Sequence, residues 1–185
     1  QEYGLPFNRD FNAETTYGAG AYQLSTKRRW RSSSATAFLK PAQSRPNLTV
    51  LSGAHVTRVL FDGSQAEAVE WIRNGKTKTA AVEKEIILAA GALQSPQILQ
   101  LSGIGPAELL AEHGITLVHD APEVGRNLQD HYQMRTIVRL THKNSLNDGI
   151  SNPFKLAQWG LQWLRDGSGP LSVGAGQVGG GACTK

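Results

Sequence analysis

The chain has 185 residues, of which 39% are hydrophobic and 18% charged, and its formal net charge is +4. This length fits one domain or parts of two, since domains usually contain about 100–200 residues. The composition excludes a disordered tail, and the single cysteine, Cys183, excludes an internal disulfide framework and a cysteine-rich metal site. No apolar run approaches the ~20 residues that a membrane-spanning helix needs, and no leader segment is recognisable. We expect a soluble globular protein without a transmembrane segment and favour the cytoplasm as its compartment.

The first 37 residues are polar and rich in Gly, Ser and Asn, without a sustained helical or strand period. The small residues of segment 17–22 predict a close-packed extended stretch, because they let two backbones approach each other. Residues 32–39 predict a short helix that a serine caps and that Pro41 stops.

Alternating apolar residues and tight turns dominate the next part of the chain. Residues 48–51 form a short β-type run, and three further strands follow it. The dipeptides Asp62-Gly63 and Asn74-Gly75 separate these strands, and both favour two-residue hairpin turns. The pattern predicts an antiparallel meander with strands at residues 55–61, 68–72 and 76–82.

The segment after the meander predicts a βαβ-like unit of the doubly wound class. Residues 85–91 are almost continuously apolar, which favours a strand buried on both faces. A helix capped by Ser95 follows and ends near Gly103, and a second helix after Pro106 leads to a strand at residues 115–118. A ligand commonly lies at the end of such a strand. The spacing alone leaves a nucleotide site and a plain helix–sheet contact equally open.

The last third of the chain begins with a polar loop at residues 124–131. Residues 133–140 alternate and predict a strand, and residues 153–165 carry an amphipathic helical pattern. A glycine-rich stretch follows to the end of the chain.

Two motifs and the five histidines are candidates for functional sites. A literal G-x-G-x-x-G spans residues 174–179, but the strand and helix that a dinucleotide-binding turn requires are missing around it. Arg28, Arg29 and Arg31 surround Trp30, and this basic segment could hold phosphates and stack a base. The five histidines lack the spacing of a metal site, so we predict no metal.

Residues 91–105 read GALQSPQILQLSGIG, which resembles the second signature of the glucose–methanol–choline (GMC) oxidoreductases. These flavoenzymes bind FAD and oxidise alcohols. Four further segments are similar to family sequence in the same order, so the resemblance covers nearly the whole chain. It is nearest to the choline-dehydrogenase and aryl-alcohol-oxidase-like members. The four segments are residues 31–39, 47–59, 124–131 and 169–171.

The resemblance implies a mixed α/β fold, with part of a doubly wound FAD-binding domain that contains an antiparallel meander. Residues 38–122 would belong to that domain, whereas residues 1–37 and 123–185 would form a linker loop and portions of a substrate-binding domain. Position by position, the resemblance implies that FAD is held by Val56 through its backbone and by Ala90 and Gly91. The resemblance also implies a loop near the cofactor or the domain junction, which contains Asn127, Asp130 and His131 as weaker candidates for cofactor binding.

The resemblance also implies what this chain lacks. The N-terminal G-x-G-x-x-G unit and the catalytic histidine of the family have no counterpart here, so we expect an internal fragment without catalytic residues and without activity alone. The complete enzyme would transfer hydride from an alcohol to the flavin, and oxygen or a quinone-like carrier would accept the electrons. The alternatives are a lyase-type member of the family and a non-catalytic nucleic-acid-binding module centred on Arg28 to Arg31. We predict no nucleic-acid partner.

Overall fold

The computed structural model describes residues 4–27, 30–134, 136–137, 139, 141, 145–172, 174, 176 and 178–182. The strands β1 to β9, in chain order, are Gly18–Ala21, Thr26–Lys27, Trp30–Arg31, His55–Asp62, Gln65–Arg73, Lys76–Ala81, Ile104–Gly105, His119–Asp120 and Val178–Gly181. The α-helices α1 to α5 are Lys40–Ala42, Gly91–Leu101, Ala107–Glu112, Leu146–Ile150 and Pro153–Asp166. A π-helix, Ala35–Leu39, leads into α1, and a 3₁₀ turn, Pro170–Ser172, follows α5. This mixture of helices and small sheets confirms the predicted mixed α/β class.

The chain divides into two compact units, one formed by residues 49–135 and the other by residues 1–48 with 136–185. The second unit is therefore built from both ends of the chain. The predicted boundaries at residues 37 and 122 differ from this division and stay a prediction.

The antiparallel meander forms the first unit's sheet and confirms the prediction, with strand order β4-β5-β6. The second turn is Asn74-Gly75 as predicted, and both residues have positive φ. The first turn lies one residue later than predicted, at residues 63–64, because Asp62 still pairs with Gln65 and Gly63 takes the positive φ. Val59 of β4 lies opposite Val69 of β5. Val59 is buried, with 5% of its surface exposed, and belongs to this unit's core.

The helices after the meander end where glycines permit it. Gly103 follows α2 with a φ of +90°, and Gly114 follows α3 with a φ of +65°, conformations that side chains disfavour. Between them, β7 pairs in parallel with β8, and Leu110 of α3 is 1% exposed. The predicted strand at residues 115–118 is absent, so the observed strand–helix–strand unit consists of β7, α3 and β8 and does not begin at residue 85 as predicted.

The start of α2 corrects one prediction. The helix begins at Gly91, four residues before the predicted cap, and Pro96 lies inside it. The Ser95 hydroxyl instead accepts the N–H of Ala90 at 3.0 Å. Ser95 therefore ties the helix to the preceding segment from within the first turns.

Three further predicted strands are wrong for the described residues. Residues 48–51 and 85–90 lie outside any strand, and Ile87 is 77% exposed. The described residues of segment 133–140 likewise form no strand, while residues 135, 138 and 140 lie outside the described part. An apolar run becomes a strand only when a neighbouring backbone satisfies its N–H and C=O groups. No paired neighbour exists for these segments among the described residues.

The second unit contains the predicted amphipathic helix, α5, and the paired strands β1 and β9. Asn152 caps α5 by accepting the N–H groups of Phe154 and Lys155, and Gly167 ends it with a φ of +73°. The predicted close-packed stretch is confirmed as β1. The predicted helix near residue 35 is a π-helix, and Pro41 lies in α1 instead of stopping it.

Candidate cofactor-binding site

A cleft of about 620 Å³ lies between β4 and α2, in the unit formed by residues 49–135. Its volume falls within the range of about 300–1,000 Å³ that is usual for small-molecule sites. One wall comes from the start of β4, and the other comes from α2 and the residue before it. The lining residues are Ala54, His55, Val56, Thr57, Arg58, Ala90, Gln94, Gln97, Ile98 and Leu101.

The β4 wall contains a bulge that a hydrogen-bond network holds in place. Val56 pairs with Trp71 and Arg58 pairs with Glu70, so Thr57 is the extra residue on its strand. The Thr57 hydroxyl donates to Oε1 of Glu70 at 2.8 Å, and the Arg58 guanidinium contacts the same carboxylate at 3.1 Å. Bulges of this kind re-aim side chains and are frequent beside functional sites.

These contacts also set the charge state of Glu70. The hydrogen bonds from Arg58, and then from Thr57, hold the pKa of the Glu70 carboxyl below its usual range. Hydrogen bonds to an ionised carboxylate favour the charged form. Glu70 is therefore a carboxylate at neutral pH, and it offsets the Arg58 charge beside the cleft.

The outer edge of β4 offers backbone groups to a ligand. Within the described residues β4 pairs with β5 alone and lies at the edge of its sheet. An edge strand leaves a row of backbone N–H and C=O groups without ladder partners. At Val59 the N–H of this edge is taken by the Ser102 hydroxyl at 2.8 Å. Val56, nearer the start of the strand, lines the cleft.

The α2 wall begins with two small residues. Ala90 lines the cleft, and Gly91 follows it with a φ of +89°. No atom lies within 4 Å of the place where a side chain on Gly91 would begin. Gly91 is thus required by its backbone conformation, and the space beside it is open to a ligand.

The structure brings together only part of the predicted FAD site. Val56 and Ala90 face the same cleft, and Gly91 adjoins it. Asn127, Asp130 and His131 are exposed in the loop after β8 and do not line the cleft.

That loop holds itself together by local hydrogen bonds. Asn127 has a φ of +55° and donates its amide to Glu123 at 2.9 Å, and the Asp130 carboxylate accepts the His131 N–H at 2.8 Å. Asn and Asp commonly stabilise turns in this way.

Several lining residues were missed at the sequence level. Gln94, Gln97, Ile98 and Leu101 follow the i, i+3, i+4, i+7 spacing that places them on one helix face. The sequence shows this spacing, but the predicted helix start at Ser95 excludes Gln94. No local pattern points to Ser102, whose hydroxyl is a structural link to β4.

The cleft fits a flat heteroaromatic group with a polar edge. Val56, Ile98 and Leu101 supply apolar surface, and Ala90 leaves room for close approach. The free edge of β4 can match the donors and acceptors of such a group. The residues present therefore fit the adenosine end of a dinucleotide cofactor.

The glycine motif at residues 174–179 and the basic segment around Trp30 lie in the unit formed by both ends of the chain. Gly179 of the literal G-x-G-x-x-G lies in β9 opposite Gly20 of β1, an antiparallel pair. In the basic segment, Trp30 packs edge-on against Trp163 with ring centroids 4.9 Å apart, while Arg28 and Arg29 lie outside the described residues.

The described part of the chain shows neither a metal-binding cluster nor a membrane-spanning helix. No group of three or more His, Cys, Asp or Glu side chains there could hold a metal ion. None of the helices described there is long and apolar enough to cross a membrane. Cys183 and His142 lie outside the described residues.

The chain is similar to proteins of known family. The model of the family described as GMC oxidoreductase matches residues 1–133. An alcohol dehydrogenase (acceptor) of Pseudomonas putida is 47% identical over 132 residues, covering 70% of this chain and 24% of that relative. An oxygen-dependent choline dehydrogenase of Escherichia coli is 42% identical over 171 residues, covering 90% of this chain and 30% of that relative.

A solved structure gives the same result. An FAD-dependent oxidoreductase from Chaetomium thermophilum superposes with a TM-score of 0.85 at 30% identity, over 96% of this chain and 32% of that one. The chain thus spans less than a third of the length of each of these relatives. Since the family model covers well over half of the chain, including the whole cleft, the chain belongs to the GMC oxidoreductase family.

Proposed function

We propose that the complete protein is an FAD-dependent oxidoreductase that acts on the CH–OH group of an alcohol, and that this chain supplies part of its FAD site. The observation that carries the proposal is the cleft that Val56 and Ala90 both line. The names of the alcohol dehydrogenase and choline dehydrogenase relatives support an alcohol substrate. The name of the solved relative supports FAD as the cofactor. Oxygen or a quinone-like carrier would accept the electrons.

In this proposal the cleft holds the adenosine end of FAD. The backbone of Val56, on the free edge of β4, would meet the polar edge of the adenine ring. Ala90 and Gly91 would allow close approach, because one has a minimal side chain and the other has none. Ile98 and Leu101 would contact the face of the ring.

Bound FAD would supply a flavin ring that accepts hydride from the alcohol carbon. The residues of this chain bind and orient the cofactor, and we assign no catalytic acid or base to them. A base must lie within hydrogen-bond reach of the substrate hydroxyl. We therefore keep the prediction that these 185 residues alone do not oxidise alcohols.

We also propose the domain assignment that the resemblance implied. Residues 38–122 would belong to the FAD-binding domain, and every residue that lines the cleft falls within them. Residues 1–37 and 123–185 would belong to a linker and to the substrate-binding domain. A cytoplasmic location stays a prediction.

The first experiment measures FAD binding by the complete protein and by two matched variants. Ala90→Phe would fill the cleft, whereas Ala111→Phe places the same ring on the exposed surface of α3, outside it. Overpacking a site typically costs about 1–3 kcal/mol, so Ala90→Phe should weaken FAD binding about tenfold or more. Ala111→Phe should leave the affinity unchanged. Equal affinities in the two variants would contradict the assignment of the cleft.

The second experiment tests the reaction class on the same holoprotein. Under anaerobic conditions, an alcohol substrate should bleach the visible absorbance of the oxidised flavin almost completely. Cleavage of the substrate without bleaching would favour the lyase-type alternative. Tight, strongly salt-dependent binding of nucleic acid, without flavin, would favour the basic module centred on Arg28 to Arg31.

A further inference from the structure

We infer that Ser102 is a positioning residue that sets the spacing of the cleft walls and thereby the affinity for the adenosine end of FAD. This inference rests on the proposed function. Ser102 does not line the cleft, but it lies directly after Leu101, the last lining residue of α2.

The Ser102 hydroxyl joins the two walls. It accepts the backbone N–H of Val59 at 2.8 Å and donates to the carbonyl of Ile98 at 2.5 Å. Ser102 is 7% exposed and Val59 is 5% exposed, so water does not compete for this link. The two residues lie 43 positions apart in sequence.

The link is placed where it controls geometry. Val59 follows Val56, Thr57 and Arg58 on the strand that forms one wall, and Ile98 belongs to the other wall. A single oxygen thus bonds to both walls, directly after the last lining residue of α2. On the far side of the strand, the Thr57 and Arg58 contacts with Glu70 hold the bulge to β5. The wall at Val56 is therefore held to β5 on one side and to the end of α2 on the other. Among the described residues, the bond from the Val59 N–H to the Ser102 hydroxyl is the one side-chain hydrogen bond that joins β4 to the end of α2.

Loss of the hydroxyl leaves a buried N–H without a partner. A buried donor in that state is costly, and the strand or helix must move to readmit water. We expect Ser102→Ala to open the cleft and to weaken FAD binding about tenfold, which corresponds to about 1.4 kcal/mol.

The test uses the complete protein and compares FAD with FMN, which contains the flavin but lacks the adenosine end. Ser102→Ala should weaken FAD binding about tenfold and leave FMN binding within about twofold of wild type. Ser102→Thr keeps the hydroxyl and should retain the wild-type ratio of the two affinities. Asp120→Ala removes an exposed side-chain bond, to the N–H of Ala107 at the start of α3, and Asp120 does not line the cleft. It should also retain the ratio.

The outcomes separate the two hypotheses. If wild type prefers FAD over FMN and Ser102→Ala keeps that preference, the positioning role is wrong while the proposed function stands. If wild type binds FAD no better than FMN, the adenosine placement is wrong and the inference falls with it. Hydrogen exchange at the Val59 amide gives a second measure, since the inference requires faster exchange in Ser102→Ala and unchanged exchange in Asp120→Ala.

Discussion

The turn after α2 gives the sharpest stability prediction. Gly103 has a φ of +90°, and its carbonyl accepts the N–H groups of Val118 at 2.8 Å and His119 at 3.1 Å. A Cβ at this position would overlap the carbonyl oxygen of Thr116 and lie 2.8 Å from Cγ2 of Val118. The substitution Gly103→Ala therefore combines an unfavourable backbone conformation with a clash against backbone that is already hydrogen-bonded.

The magnitude follows from these two contributions. A left-handed conformation costs a residue with a side chain about 1–2 kcal/mol, and overpacking costs about 1–3 kcal/mol. We expect Gly103→Ala to lower the free energy of unfolding by about 2–5 kcal/mol, a large share of the ~5–15 kcal/mol of a typical domain. Gly114→Ala is the matched control, because Gly114 has a φ of +65° but no atom within 4 Å of the added Cβ. It should lose only about 1–2 kcal/mol.

The assay is denaturant unfolding of the complete protein, combined with hydrogen exchange at Val118 and His119. Gly103→Ala should unfold at lower denaturant than Gly114→Ala and should expose both amides to faster exchange. We attribute the greater destabilisation of Gly103→Ala to the clash of its Cβ with Thr116 and Val118. Equal destabilisation by the two substitutions, with unchanged exchange at Val118, would refute it.

Two further changes test other parts of the fold. Gly149 of α4 is buried, and a Cβ there would overlap the Trp159 ring. We expect Gly149→Ala to lower the free energy of unfolding by about 1–3 kcal/mol and to alter tryptophan fluorescence. An unchanged unfolding midpoint would contradict this packing. Glu70 has a pKa below its usual range because of Arg58 and Thr57. Its stabilisation is therefore present above the unfolded pKa of about 4.3 and is lost as pH falls through the lower folded value. The stability difference between wild type and Glu70→Gln should shrink below about pH 4; a difference that stays constant from pH 7 to pH 3 would show that the ion pair does not contribute.

The last turn of α2 connects more than the cleft walls. The Gln100 amide donates to the carbonyl of Val124 at 3.0 Å, and Gly125 packs against the same side chain. The neighbouring Ser102 bonds to β4. One helical turn therefore anchors both the strand of the proposed adenosine site and the loop that leads to Asn127. This arrangement gives a physical reason for the short, polar-and-glycine pattern at the end of the family signature.

The features that depend on local chemistry could be predicted from the amino-acid sequence. Asn74-Gly75 specified a hairpin because both residues accept positive φ, and the 3.6-residue period specified α5 from Pro153 onwards. The signature at residues 91–105 specified the family, since many residue types in fixed order identify a fold without any knowledge of contacts. Val56 and Ala90 entered the candidate site through that resemblance and not through their spacing.

The other features could not be predicted in this way, because they depend on contacts between groups that lie far apart in the chain. Residues 85–90 have the composition of a buried strand, yet no described strand pairs with them, and a strand exists only with a neighbour. The bulge at Thr57 depends on Glu70, which lies on the next strand. Ser102 becomes a link between the cleft walls because folding brings Val59 to its hydroxyl, and no local pattern contains that contact.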